Sequence, residues 1–537
     1  MDEPNIFPSL EEVPAHFTVS EPLMQKHYLV NGEMKPWNGR MQEIYSPVHI
    51  REGAGKKPVL LGAYPMLGEK EALEALDAAV EAFDNGRGFW PTMNLEQRIQ
   101  QMYRFIDKMK AQRERVVNLL MWEIGKSRKD SEKEFDRTVK YIIDTIEEVK
   151  ELDRENSRFT IEEGILAQIR RTPLGVVLCM GPFNYPLNET FATLIPALIM
   201  GNSVIFKPPK HGVLLHEPLL EAFRESFPAG VVNTVYGIGQ EVITPILNSG
   251  KVNVLAFIGT SKVADILKGQ HPKPHRMRSI LGLEAKNPAI VLPDADLEQT
   301  VKEGVLGALS YNGQRCTALK IFFVHESLIE AFLEKFSKAL DEINTGMPWE
   351  EDVQVTPLPE EGKTDYLKGL VEDAEKKGAK IINTNGGYID KSFFYPALLY
   401  PVNLDMRVAH EEQFGPVIPV MSFKSIEEPL QYIIDSDFGQ QVSIFGKNSS
   451  TIADLIDPLA NQLCRININS QCQRGPDTFP FTGRKDSAEG TLSVYDALRA
   501  FSIRSLVAAK KTDDNVEIVS DIVKERKSNF LSTDYIF

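Results

Sequence analysis

The chain has 537 residues and a formal net charge of −15, and this length predicts two or three domains because one hydrophobic core does not serve so many residues. The acidic balance argues against nucleic acid or an anionic membrane surface as a partner. Four scattered cysteines are too few for a disulfide framework or a zinc site, so no metal is expected. The acidic start lacks a signal-peptide pattern, and no apolar run reaches membrane-spanning length, which predicts a cytoplasmic protein.

The N-terminal third predicts an irregular arm over the first forty residues and then mostly helix. Apolar residues at helical spacing predict helices over about 71–83, 95–124 and 130–152. After them, alternating apolar residues over 157–171 predict a β-hairpin that turns at Glu163 and Gly164.

From residue 175 onwards, short apolar strands alternate with helices. The predicted strands of the first series cover 175–180, 203–206, 231–235 and 254–258, with helices after Asn188 and over 214–227. A second series runs from about 289 to 485. This alternation is typical of an α/β protein with parallel, doubly wound sheets. Segment 499–510 predicts a late strand that needs a sheet to join, which a neighbouring subunit could supply.

Cys316 lies in a small, polar and partly cationic run, residues 312–317 (Asn-Gly-Gln-Arg-Cys-Thr). A nucleophilic cysteine needs a stabilised thiolate and an approachable sulfur. Arg315 places positive charge beside the thiol, and Gly313 is expected to clear space for a ligand. On this segment alone, a loop cysteine without a chemical role is an equal alternative.

Two polar segments directly follow predicted strands, where open α/β sheets bind ligands. In residues 181–186 (Gly-Pro-Phe-Asn-Tyr-Pro), Asn184 could donate its amide to an oxyanion, or it could simply turn the chain between two prolines. Lys207 and Lys210 suit a phosphate, and the alternative is a solvated basic turn.

Two further segments suit a nucleotide. Residues 257–261 (Phe-Ile-Gly-Thr-Ser) run into a helix whose N-terminus could hold a pyrophosphate, although no Gly-x-Gly-x-x-Gly fingerprint is present. In residues 411–416 (Glu-Glu-Gln-Phe-Gly-Pro), an acid could bind ribose hydroxyls and Phe414 could pack against a ring. An exposed acidic turn is the alternative for this second segment.

Taken together and in order, these segments resemble the motifs of the aldehyde dehydrogenase superfamily over about residues 27–510. The matching segments are 181–186, 207–210, 257–261, 313–316 (Gly-Gln-Arg-Cys) and 412–416. The resemblance implies an α/β, aldehyde dehydrogenase-like fold with a Rossmann-type cofactor domain, an α/β catalytic domain and a small β oligomerisation element. The implied bounds are 22–150 and 172–283 for the cofactor domain, 284–487 for the catalytic domain, 151–171 and 498–515 for the oligomerisation element, 1–21 for an N-terminal arm and 516–537 for a tail.

Within the superfamily the chain is most similar to the non-phosphorylating, NADP-dependent glyceraldehyde-3-phosphate dehydrogenases. That branch holds its substrate phosphate with three arginines and a tyrosine, which match Arg137, Tyr185, Arg315 and Arg474. Guanidinium groups suit a phosphate dianion. The resemblance implies oxidation of D-glyceraldehyde 3-phosphate to 3-phosphoglycerate by a homodimer or homotetramer. The alternatives are another small or anionic aldehyde as substrate, or a catalytically impaired relative that acts as a binding or structural protein.

The resemblance also implies the roles of the other residues. Cys316 would attack the aldehyde and Asn184 would hold the oxyanion, whereas Gly259, Thr260, Glu412 and Phe414 would bind the cofactor. NAD-preferring relatives commonly carry a glutamate at the position of Lys210. Because Lys207 and Lys210 would attract a 2′-phosphate, NADP is expected, with NAD as the weaker possibility.

The chain departs from the superfamily pattern at the residue that supplies the base for thioester hydrolysis. The superfamily has Glu-Leu-Gly-Gly-Lys, whereas residues 282–286 here are Gly-Leu-Glu-Ala-Lys. The usual base position therefore holds Gly282, and Glu284 lies two residues later. Glu284 is either the base, reaching the water from a displaced position, or a structural residue, in which case the base is missing or supplied elsewhere.

Overall fold

The computed structural model describes residues 6–19, 21–53 and 55–536, and its first large sheet carries the first α/β series. The strands of this sheet lie in the order Val232–Thr234, Ser203–Lys207, Val176–Met180, Val254–Ile258, Arg278–Gly282 and Ala488–Glu489. The first five are parallel and the last is antiparallel. The strand order reverses direction between Val176–Met180 and Val254–Ile258. Such a switch point opens a crevice at the carboxyl ends of the strands, which is where residues 181–186 and 259–261 emerge.

The second large sheet has seven strands and carries the second α/β series. Their order is Lys380–Ile381, Ala397–Tyr400, Val417–Phe423, Ile321–His325, Pro288–Val291, Gln441–Phe445 and Arg465–Ile468, and only Lys380–Ile381 runs antiparallel to its neighbour. The segments with predicted site residues directly precede strands of this sheet: 284–287, 316–320 and 412–416. The second sheet therefore supplies its site residues from the amino ends of its strands, whereas the first sheet supplies them from the carboxyl ends.

Helices cover both large sheets, which is why their strands are apolar on both faces. The helices are Glu69–Phe83, Phe89–Thr92, Leu95–Lys110, Arg113–Ile124, Arg128–Asn156, Asn188–Ile199, Glu217–Ser226, Gly239–Asn248, Ser261–Gln270, Leu297–Leu309, Ile329–Asp341, Lys363–Lys376, Arg407–His410, Glu427–Asp435, Ser449–Leu459, Val494–Ala500 and Asp513–Lys524. Across the described ranges, none of them combines the length and the apolar character that crossing a bilayer requires.

The single helix predicted over 95–124 is two helices, separated at Ala111 and Gln112. Both helices bury apolar residues in the same core cluster, among them Met109 and Val116. The apolar pattern therefore continues across the short turn, and periodicity alone did not reveal the break.

The prediction that the first forty residues form an irregular arm is wrong. Strands His27–Val30 and Glu33–Pro36 form an antiparallel hairpin, and Leu23–Met24 pairs with the strand Gly55–Pro65, which also pairs with Met41–Glu52. The hairpin turns at Asn31 and Gly32, whose φ angles of 53° and 73° are left-handed. Asn-Gly is a strong hairpin signal because both residues tolerate this conformation.

The predicted hairpin over 157–171 forms from strands Phe159–Glu162 and Ile165–Pro173. Strand Ser502–Lys510 pairs antiparallel with Ile165–Pro173 of the same chain, so the sheet that this late strand needs is already present within the chain. The segment after residue 511 folds back onto this small sheet, where the Ser532 N–H donates to Gln168 Oε1 at 3.1 Å. Two minor ribbons, Ile389–Asp390 with Phe393–Phe394 and Phe438–Gly439 with Arg484–Lys485, complete the strands.

Candidate active site

One cavity of about 1410 Å³ is lined from both large sheets. From the first sheet come residues 181–185, 259–260 and 282–284, which follow its strands. From the second come Cys316, Glu412, Phe414 and Gln440, which precede its strands. The cavity thus brings together predicted residues that lie more than two hundred positions apart in the sequence.

The loop that carries Cys316 has an unusual backbone. After helix Leu297–Leu309, residues 311, 312 and 313 have left-handed φ angles of 48°, 56° and 71°. A Cβ on Gly313 would lie 2.9 Å from the carbonyl oxygen of Gly415, so only glycine lets the nucleophile loop and the 412–416 segment approach this closely. The expectation that Gly313 clears space for a ligand is therefore wrong, because its role is backbone packing.

Asn184 lies beside this loop. Its side-chain Nδ2 donates to the carbonyl oxygen of Gln314 at 2.8 Å, and its own carbonyl oxygen accepts from Lys126 Nζ at 2.7 Å. Asn184 is almost fully buried yet lines the cavity with Cys316. The Asn184 amide is thus held beside Gln314, which lies two residues before Cys316 in the chain. From there the amide can donate a hydrogen bond to an oxyanion on the aldehyde carbon.

A fully buried ion pair between Lys126 and Glu134 holds the Asn184 segment from both ends. Glu134 Oε1 accepts from the backbone N–H groups of Leu187 and Asn188 at 3.0 and 3.1 Å, whereas Lys126 binds the Asn184 carbonyl. A buried pair with all these hydrogen bonds is costly to break, because either partner alone would leave an uncompensated charge. The pair therefore gives the segment a single geometry.

Cys316 is half-buried as a residue, and burial of its thiol raises the pKa above the ordinary value for cysteine. Lys320, a hydrogen bond from Gln440 and Arg315 lower this pKa, whereas Glu412 raises it. Lys320 counts for more than Arg315, which the sequence had suggested as the neighbouring cation. Arg315 instead directs Nη2 to the Gly307 carbonyl oxygen at 2.9 Å.

The residues predicted to bind a nucleotide divide into two groups. Lys210, Gly259, Thr260, Glu412 and Phe414 all line the cavity. Lys207 does not line it, and its Nζ donates only weakly, to the Pro208 carbonyl oxygen at 3.4 Å. Burial lowers the pKa of Lys207 to about 8. Within the part of the chain that the structure describes, the Lys207 ammonium group therefore has only this one weak acceptor.

Phe414 has a left-handed φ of 46°, which is uncommon for a bulky residue and costs backbone free energy. Its ring meets Phe183 edge-on, with centroids 5.7 Å apart. The two rings, one from each side of the cavity, form an apolar wall that can pack against a flat heteroaromatic ring.

Glu284 caps the helix Ser261–Gln270. Its Oε2 accepts from both the backbone N–H and the hydroxyl of Ser261, each at 2.8 Å. A carboxylate at a helix N-terminus is favourable, and it occupies the position where a pyrophosphate was expected. Glu284 nevertheless lines the cavity, and only one of its two oxygens has these bonds.

Gly282 also lines the cavity. A Cβ placed on it would lie 3.4 Å from Ile258 and 3.5 Å from Leu492, which are ordinary van der Waals contacts. The backbone therefore has room for a Cβ at the usual base position, and the packing of that atom does not require glycine there.

Arg137, Tyr185, Arg315 and Arg474 all line the same cavity. Two carboxylates accompany them: Arg137 forms a forked pair with Asp477 at 2.8 and 2.6 Å, and Arg474 pairs with Asp477 and Glu189. Burial lowers the pKa of Arg474 to about 10. Among the described residues no carboxylate pairs with Arg315, so this guanidinium is the uncompensated cation of the cluster.

Sequence reasoning missed Lys126, Glu134, Lys320 and Gln440. Lys320 had a usable signal, since a lysine in the apolar run 318–324 must find a buried partner. Lys126 and Glu134 are eight residues apart, on a loop and the following helix, and nothing in their spacing points to Asn184.

Comparison with known proteins agrees with this geometry. The aldehyde dehydrogenase family model matches residues 56–507. The NADP-dependent glyceraldehyde-3-phosphate dehydrogenase of Streptococcus equinus is 34% identical over 502 residues, which cover 91% of this chain and 99% of that protein. The protein of the same name from Pisum sativum is 32% identical over 433 residues, covering 79% and 85%. The crystal structure of the NADP-dependent glyceraldehyde-3-phosphate dehydrogenase from Bacillus halodurans C-125 complexed with NADP has a TM-score of 0.83 at 30% identity, covering 91% of this chain and 100% of that chain. The chain belongs to the aldehyde dehydrogenase family.

Proposed function

We propose that this protein oxidises D-glyceraldehyde 3-phosphate to 3-phosphoglycerate with NADP. The observation that carries the proposal is a single cavity in which the thiol of Cys316 and the amide of Asn184 lie together with the arginine cluster. The similar relatives named as NADP-dependent glyceraldehyde-3-phosphate dehydrogenases support the same substrate and cofactor.

The chemistry follows from the side chains. The Cys316 thiolate attacks the aldehyde carbon, and the Asn184 amide with the Cys316 N–H stabilises the resulting oxyanion. NADP, when bound, would supply the hydride acceptor, and loss of a hydride from the thiohemiacetal gives the thioester. Glu284 then takes a proton from water, which cleaves the thioester and releases the acid. Glu412 and Phe414 would hold the nicotinamide end of the cofactor, and Gly259 and Thr260 would contact another part of it from the opposite side of the cavity.

Lys207 and Lys210 are the groups that would favour NADP over NAD. Replacing Lys210 by glutamate should lower kcat/KM for NADP by about tenfold to a hundredfold and leave that for NAD within about threefold, because a carboxylate repels the 2′-phosphate. Initial rates with both cofactors measure this change. Lys210→Gln is the matched control, and its kcat/KM for NADP should lie between the values of the wild type and of Lys210→Glu. Equal losses of kcat/KM with NADP and with NAD would contradict the assignment of Lys210 to the 2′-phosphate.

The arginine cluster can be tested by comparing D-glyceraldehyde 3-phosphate with glyceraldehyde. Arg474→Lys keeps a cation beside Glu189 and Asp477 but loses the guanidinium fork, so KM should rise about tenfold for the phosphorylated aldehyde and less than about twofold for glyceraldehyde. The same comparison on the wild type, with both cofactors, tests the whole assignment. A wild-type preference for glyceraldehyde would favour another small aldehyde as the substrate.

Because Gly282 stands where the superfamily has its hydrolytic base, this residue favours one alternative: a family member that is impaired in turnover. A single burst of NADPH without steady-state formation would support this alternative, and continued formation would exclude it.

The assembly belongs to the same proposal. The small sheet exposes Ile161, Ile503 and Leu506, which supports a homodimer or homotetramer formed through segments 151–171 and 498–515. We also propose a cofactor domain of residues 22–150 and 172–283 and a catalytic domain of residues 284–487. The first sheet supports them except for its sixth strand, Ala488–Glu489, which comes from beyond residue 487. Four free cysteines suit a reducing cytoplasm.

A further inference from the structure

Lys320 is nearly inaccessible to solvent, and its ammonium group lies between the nucleophile and the segment predicted to bind the cofactor. Its Nζ donates to the carbonyl oxygen of Cys316 at 3.1 Å and forms an ion pair with Glu412. The same nitrogen lies 5.5 Å from the ring centroid of Phe414. One buried cation thus contacts all three groups, although the established family motifs leave it without a role here.

The backbone around Lys320 fixes this position. The Lys320 N–H donates to the Asn287 carbonyl oxygen at 2.9 Å, and the Lys320 carbonyl oxygen accepts from Gln413 Nε2 at 2.9 Å. Asn287 also donates its side-chain amide to the Cys316 carbonyl oxygen at 2.6 Å. The Cys316 carbonyl therefore has two donors, and the lysine cannot move away without breaking several bonds.

The charges around the thiol show why a buried lysine is needed. Glu412 is a carboxylate close to the sulfur, and a carboxylate opposes thiolate formation. Lys320 and Arg315 are the cations that act on the thiol, and Lys286, the other buried lysine nearby, points to the Glu411 carbonyl oxygen at 2.7 Å and to Gln413 Oε1 at 2.6 Å. Only Lys320 contacts both the Cys316 main chain and Glu412 among the described residues.

We propose that Lys320 is a positioning residue that fixes the Cys316 main chain and offsets the charge of Glu412, so that a ribose-binding carboxylate can stand beside a reactive thiolate. The inference rests on the proposed role of Cys316 as the nucleophile. It assigns to Lys320 two tasks, one geometric and one electrostatic, and neither requires contact with the substrate.

The test is the pH dependence of Cys316 alkylation by iodoacetamide in the full-length protein without substrate or cofactor, read by mass spectrometry of the Cys316 peptide. Lys320→Met should slow alkylation at neutral pH by about tenfold, which corresponds to a shift of about one pKa unit. Glu412→Gln should speed it up. The double variant should return to within about threefold of the wild type, because the opposing charges are removed together.

Lys363→Met is the matched control. Lys363 also lines the cavity, 5.8 Å from the Phe414 ring centroid, but it pairs with Glu360 at 3.3 Å rather than with Glu412. Its alkylation profile should match the wild type. A Lys320→Met profile that also matches the wild type, or a double variant no closer to the wild type than Lys320→Met, would overturn the proposal.

If Lys320→Met alone fails to fold because Glu412 is left unpaired, the double variant is compared with Glu412→Gln instead. Loss of Lys320 should then slow the alkylation of Glu412→Gln, and equal rates would overturn the proposal. Because alkylation needs neither NADP nor an aldehyde, the inference can fail while the proposed dehydrogenase activity stands. Conversely, wild-type protein without NADPH formation would overturn the proposed function and leave the alkylation result intact.

Discussion

Replacing Cys316 by alanine should reduce NADPH formation from D-glyceraldehyde 3-phosphate by more than about 10⁴-fold, because Cys316 supplies the one thiol among the described residues that line the cavity. Cys179 and Cys472 are buried, and Cys464 does not line the cavity. The measurement is the steady-state rate of NADPH formation under saturating substrate. The aldehyde should also cease to form a thioester at the Cys316 peptide, which mass spectrometry can follow.

Cys464→Ala is the matched control, because Cys464 is a half-buried free cysteine that is not among the residues lining the cavity. It should retain the wild-type rate. Both variants should unfold within a few degrees of the wild type, since each removes only one sulfur atom. If Cys316→Ala keeps a substantial part of the activity, or if Cys464→Ala loses it, the thiol mechanism is incorrect.

Much of the fold was accessible from the sequence because strands and helices differ in the period of their apolar residues. The strands Val176–Met180, Ser203–Lys207 and Val254–Ile258 were predicted almost to the residue. The hairpin at Glu163 and Gly164 also formed as predicted. The N-terminal hairpin was not predicted, although Asn31-Gly32 is a typical hairpin turn sequence. The sequence therefore contained the physical signal, and the error was to overlook this turn.

The candidate site was predictable as a set of motifs but not as a network of charges. Cys316, Asn184 and Glu412 lie in short segments that follow or precede apolar strands, and the resemblance to the aldehyde dehydrogenase superfamily implied that they belong to one site. Which charges neutralise each other depends on tertiary contacts. Asp477 accepts from Arg137 across 340 positions, and no sequence pattern connects these two residues.

The orientation of the second sheet is a further feature that the sequence does not predict. The rule that ligands bind at the carboxyl ends of parallel strands correctly predicts that residues 181–185 and 259–260 line the cavity, whereas Pro186 and Ser261 are not among the lining residues. It does not predict Cys316 or Glu412, which precede their strands. Two sheets that face one cavity with opposite ends satisfy the rule for one sheet only, and sequence alone does not show how the sheets are oriented.

Glu284 can be tested as the hydrolytic base by replacing it with glutamine. If its free oxygen activates water, Glu284→Gln should lower kcat by about 10²-fold to 10⁴-fold, the usual contribution of a general base. The first turnover should remain fast, because hydride transfer precedes hydrolysis. A rapid burst of NADPH followed by a slow steady state, with a thioester accumulating on Cys316, is therefore expected in rapid-mixing experiments.

The double variant Gly282→Glu with Glu284→Gln separates a base from a helix cap. Because a Cβ on Gly282 meets only ordinary contacts at 3.4 and 3.5 Å, a glutamate there should fit and should recover at least about tenfold of the lost kcat. If Glu284 only caps Ser261, glutamine should instead leave kcat unchanged and reduce the free energy of unfolding by about 1 kcal/mol, the typical cost of a weakened cap. An unchanged burst and steady state in Glu284→Gln would thus remove the base assignment. The base would then be missing or supplied by another group, and the cavity lining includes a further carboxylate, Glu412.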